Sequence, residues 1–145
     1  MAETIALSKI LRVYEKEKTD AQKAFNQSIT LFEEVANQLY TLLKRKEDAE
    51  SFYDSNVEKE VPIEKIREQM IYIERLNKQI INLQAEVNKA RNVMNFKQMK
   101  LKDAHIEMKK FQSILKHREM SKKEKEKKDE NLAMDEISIQ QHIRS

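Results

Sequence analysis

Cysteine and glycine are both absent from this chain of 145 residues, and proline occurs once, at Pro62. Without cysteine there is no disulfide framework, no thiolate metal site and no cysteine nucleophile. Without glycine there is no Gly-rich loop to cradle a phosphate, and tight turns lose the residue that reaches their backbone angles most readily. Aromatic residues make up only 6% of the chain, which leaves little bulk for a large three-dimensional core. No run approaches the ~20 apolar residues that a membrane span requires. The opening "MAETIALSKILRVY" lacks the apolar stretch of a signal peptide, so the expected compartment is cytoplasmic. His105, His117 and His142 are separated by long stretches, not by the three or four residues that put two ligands on one helical face. The expectation is therefore a protein that is not an enzyme and holds no cofactor and no metal.

What the chain does contain is charge and period. Charged residues account for 37% of it and the mean hydropathy is −0.81, values that fit either long solvated helices or disorder. Periodicity separates the two. In the first part Leu7, Leu11, Tyr14, Lys18, Ala21, Phe25, Ser28, Phe32, Val35, Leu39, Leu42, Lys46, Ala49 and Tyr53 follow alternating steps of three and four. In the second part Ile66, Ile73, Ile80, Val87, Met94, Leu101, Met108 and Leu115 recur every heptad, with Gln69, Leu76, Leu83, Ala90, Lys97, Ala104 and Phe111 three residues on. A mean apolar spacing near 3.5 residues marks a coiled-coil seam. Pro62 lies between the stripes. Proline belongs in the first turn of a helix rather than its interior, and "DSN" at residues 54–56 supplies turn-forming residues.

The expected fold is all-α: two long helices forming an antiparallel coiled-coil hairpin, with a charged helical extension and a C-terminal tail. The expected boundaries are 1–54 for the first helix, 55–62 for the connecting loop, 63–130 for the second helix with its charged overhang, and 131–145 for the tail. Matching polar seam residues across the hairpin sets Lys46 opposite Gln69 and Lys18 opposite Lys97. The same register pairs large with small side chains, Phe25 with Ala90, Ala21 with Met94 and Leu11 with Ala104, as a packed interface requires. The Lys18 layer reads in two ways: both ammonium groups snorkel into water, or the layer fixes register at some loss of stability.

After Leu115 the run "KHREMSKKEKEKKDEN" has no apolar stripe and reads as a solvated helical extension. It lacks the aromatic residues on which bases stack, and the net charge of +3 is small, so nucleic acid is not an expected partner. Apolar residues return at Leu132, Met134, Ile137, Ile139 and Ile143, either as a frayed end or as a motif that orders against a partner. Off the seam, Leu31, Tyr40, Leu43, Ile71, Tyr72 and Ile81 have nothing to cover them, and one flank would carry Gln38 and Leu31 beside Tyr72 and Gln79. Exposed apolar groups that cluster mark a contact; scattered singly, they carry no meaning.

Four stretches, "LSKILRVYEKEKTDAQKAF", "EEVANQLYTLL", "MIYIERLNKQIINLQ" and the terminal "MDEISIQQ", resemble the FliJ family of the bacterial flagellar type III export apparatus across nearly the whole chain. The resemblance implies a two-helix coiled coil similar to the central stalk of rotary ATPases. It further implies a hexameric export ATPase (FliI-like), an export-gate protein (FlhA-like) and export chaperones (FlgN- or FliT-like) as partners. The location it implies is peripheral, at the inner face of the cell membrane at the flagellar base. The family's gate-contact surface corresponds here to Gln38, Leu42, Tyr72 and Leu76, while Arg45, Ala49, Gln79 and Leu83 depart from the aromatic or histidine residues of that surface. By analogy with rotary stalks, the open end is expected to meet the ATPase ring through Leu7, Leu11, Lys116, Arg118, Lys122 and Lys123. The alternative reading is a generic coiled-coil scaffold or oligomerisation protein with no ATPase partner.

Overall fold

A computed structural model of the chain describes residues 2–144; Met1 and Ser145, at the outer edges of the expected segments 1–54 and 131–145, lie outside the described residues. Two helices make up almost everything described: α1, Ala2–Val57, and α2, Ile63–Arg144. With no glycine and no internal proline, nothing interrupts either of them. α1 runs past Asp54–Asn56, which sit in its last turn rather than in a loop. The reversal is confined to residues 58–62. There the Lys59 N–H donates to the Asn56 carbonyl at 3.2 Å and the Val61 N–H to the Lys59 carbonyl at 2.9 Å. Among the described residues none has a positive φ, so the turn needs no glycine. Pro62 stands just ahead of α2, where its missing N–H leaves no bond unmade. Its carbonyl accepts from the N–H groups of Lys65 and Ile66 at 3.0 and 3.4 Å and so starts the helical ladder.

The chain divides into two units, one joining α1 up to Thr19 with α2 from Asp103 onward, the other spanning Asp20–Lys102. Within each, the heptad stripes are the buried stripes. Every seam residue from Leu7 to Tyr53 and from Ile66 to Leu115 is buried or half-buried. In the Asp20–Lys102 unit the most enclosed side chains are Ser28, Leu76, Ile80 and Val87; in the other unit it is Met108. Ser28 satisfies its hydroxyl locally, donating to the Phe25 carbonyl at 2.6 Å. From residue 116 to 144 every residue is exposed, and α2 passes through the expected tail without a break.

The register differs from the sequence expectation by one heptad. Leu11 was expected opposite Ala104, but the Tyr14 ring packs on Phe111 with centroids 5.3 Å apart. In the other unit Phe25 was expected opposite Ala90, but it is Phe32 that lies at this level, with the Arg91 guanidinium 5.7 Å from its ring centre. The cause is the extra turn of α1. With α1 ending at Val57 and α2 starting at Ile63, the reversal is centred later in the chain than the expected loop 55–62, which moves the facing levels along α1. The polar seam residues consequently do not meet one another. Lys18 falls at the level of Ala104 and Lys97 at the level of Phe25. Lys46 falls at the level of Leu76, and its ammonium leaves the seam for Glu50 at 3.8 Å. All three lysines are half-buried, as long side chains are when the stem lies along apolar surface and the charge reaches water.

Candidate interaction surfaces

The residues one step before the first seam position in each heptad form a flank of the Asp20–Lys102 unit. On α1 this flank carries Leu31, Gln38, Arg45 and Phe52, and on α2 it carries Lys65, Tyr72 and Gln79. Two hollows open along it. In one, Gln38, Thr41 and Leu42 of α1 lie beside Leu83 of α2. The other, next to the tip, is walled by Ala49, Phe52, Val61 and Tyr72, with Asp48, Lys65 and Glu68 around its rim. Arg45 borders both.

The expected gate-contact residues therefore separate into different environments. Gln38 and Leu42 line the first hollow and Tyr72 the second, with Arg45 bordering both on the flank expected to carry Gln38 and Tyr72. Tyr72 is 46% exposed and able to meet a partner, whereas Leu76 is 3% exposed. Leu76 belongs to the core and supports this surface from beneath. Arg45, Ala49 and Leu83 all line the hollows. Phe52, Val61 and Lys65 were missed from the sequence. The signal for Phe52 was available, since it lies one heptad after Arg45 on the same flank and is an exposed aromatic beside a seam tyrosine.

One polar atom in the tip hollow has no satisfied neighbour. The Oε1 of Gln69 is buried and accepts no hydrogen bond. The register sets Gln69 at the level of Tyr53, so an amide stands where most seam positions hold a packed apolar group.

In the other unit Leu7 and Leu11 are half-buried in the seam, while Lys116, Arg118, Lys122 and Lys123 stand in solvent. A shallow apolar hollow runs along α2 past His105, Ile106, Lys109 and Ile114.

The profile of the family described as "Flagellar FliJ protein" matches residues 3–145. The chain belongs to the FliJ family. It is also similar to the Flagellar FliJ protein of Bacillus subtilis (strain 168), with 30% identity over 99% of this chain and 97% of that protein. No solved structure matches. FliJ proteins are non-catalytic coiled-coil components of flagellum biogenesis and type III export, and this chain is accordingly a component of the flagellar export apparatus. Among the described residues no helix is long and apolar enough to cross a membrane.

Proposed function

We propose that this FliJ-family chain is a stalk that couples a hexameric export ATPase (FliI-like) to an export-gate protein (FlhA-like) and assists FlgN- or FliT-like chaperones in handling export cargo. It works at the cytoplasmic face of the cell membrane, at the flagellar base, without entering the bilayer. The observation that carries the reading is the exposed flank on which Phe52 and Tyr72 stand beside Gln38 and Arg45. Aromatic and arginine side chains of this kind are the groups that anchor protein interfaces. The gate contact is made by Gln38, Leu42 and Tyr72 with Leu76 beneath them. Leu7 and Leu11, with Lys116, Arg118, Lys122 and Lys123 on the extension, meet the ring.

Coupling of this kind needs no chemistry in the stalk. An asymmetric shaft that contacts ring subunits differently in their different nucleotide states shifts the populations of those states by its differential affinity. The test is turnover by the purified hexameric ATPase with and without this chain. Stimulation is expected, and it should be lost when residues 116–145 are removed. A truncated chain that stimulates as well as the full chain removes the ring assignment. In a separate pull-down of the gate protein, Phe52→Ala with Tyr72→Ala should weaken capture without altering stimulation.

A further inference from the structure

The heptad of the α1–α2 seam does not stop where α1 does. Counted on from Met108, Phe111 and Leu115, the same two positions are occupied by Arg118, Lys122, Lys125, Asp129, Leu132, Glu136, Ile139 and Ile143. All of them lie on one continuous helix, and all are exposed. Leu132, Ile139 and Ile143 are 63%, 59% and 77% exposed. Met134 and Ile137 fall on neighbouring faces. The stripe thus continues an established interface past the start of α1: Arg118 still lies at the level of Thr4, and from Lys122 onward no described residue of α1 lies at its level. Its charges are sorted, with the basic members first and the acidic ones after.

We propose that this stripe pairs with the same stripe of a second copy of the chain, antiparallel, about a two-fold axis near Lys127. Turning one copy end for end sets Arg118 opposite Glu136 and Lys125 opposite Asp129. Lys122 then faces Leu132, its stem over the leucine. Each layer occurs twice, as an isologous contact requires, and first-position residues alternate with fourth-position ones as in an antiparallel coiled coil. The outermost layers bring Ile139 and Ile143 of one copy to the level of Leu115 and the first turns of α1 in the other, where Ile5 is also exposed. A parallel pair would stack Arg118 on Arg118 and Lys122 on Lys122, a like-charge arrangement that disfavours it. Sliding the antiparallel pair by a heptad breaks the Arg118–Glu136 match. The pairing stands on the overhang alone and does not rest on the stalk reading; because it occupies Arg118 and Lys122, a paired chain does not meet the ring through them, and the dimer is the form of the chain away from the ring.

The experiment is sedimentation equilibrium of the full chain over a range of concentrations, at low and high salt. A reversible dimer is expected, weakened by salt. Arg118→Glu and Glu136→Arg should each weaken it at least tenfold, and the two together should restore it. These residues are exposed, so helicity by circular dichroism should be unchanged in every variant. Cysteines replacing Lys125 and Asp129 in separate chains should cross-link to each other. A chain that stays monomeric leaves the stripe to a different protein and overturns the pairing. So does a dimer indifferent to the charge swaps, or cross-linking of residue 125 to residue 125 in preference to residue 129.

Discussion

Replacing Gln69 by leucine should stabilise the protein. The Oε1 of Gln69 is buried and accepts no hydrogen bond, and an orphaned acceptor of this kind costs about 1–3 kcal/mol. The residue is only half-buried, which places the cost at the low end of that range. Leucine removes the orphan and adds apolar contact at the level of Tyr53, so the net gain should be about 1 kcal/mol. At a urea dependence of roughly 2 kcal/mol per molar this is a shift of about 0.5 M in the unfolding midpoint. Circular dichroism at the helical band reads it directly. Lys46→Leu is the comparison at another polar seam position. There the ammonium already reaches Glu50 at 3.8 Å, no buried polar atom is relieved, and the gain should be smaller. A lower midpoint for Gln69→Leu would refute the reasoning, because it would mean that the amide is partnered and the seam at this layer is built differently.

Leu76→Ala should destabilise by about 2–3 kcal/mol in the same urea assay, since Leu76 is the most enclosed apolar side chain and a two-helix interface relaxes only partly around the space left. In a double-mutant cycle, Tyr14→Ala and Phe111→Ala should show a coupling of about 0.5–1.5 kcal/mol from their ring contact; additive losses would place the rings apart. Because the chain has no cysteine of its own, the register is open to cross-linking. Cysteines at Ala49 and Ile73 should oxidise to an intramolecular disulfide readily, and those at Ala49 and Ile66 slowly or not at all. The reverse order would restore the register expected from the sequence.

The stripes were legible because burial on a two-helix hairpin is decided by a period of 3.5, and that period survives the lysines and glutamines scattered through it. Every position it marked is at least half-buried. The register was not legible from the same residues. A seam that repeats by heptads presents apolar groups to apolar groups in either alignment, and the match of Lys46 with Gln69 rested on polar residues seeking one another. They do not need to, since Lys46 carries its charge out to Glu50 on its own helix. What fixes the alignment is the end of α1. Asp54–Asn56 are turn-forming types, yet with neither glycine nor proline beside them the helix continues to Val57 and the turn closes on Pro62 instead. The candidate surface was half legible. Tyr72 and Gln38 were named from their place beside the seam and Phe52 could have been, while the division into two hollows depends on how the two helices are aligned. Leu76 is the converse case, because a seam residue named for contact is one the fold encloses.

The short bend at 58–62 acts as the ruler of the hairpin. Two alignments would enclose the same greasy residues, and only the span of that bend chooses between them. Slack introduced there, by a few inserted glycines, would leave the inventory of enclosed side chains untouched and yet let one helix creep along the other by a notch. Sensitivity to insertion should therefore be concentrated in a solvent-washed corner that contributes almost nothing to the interior.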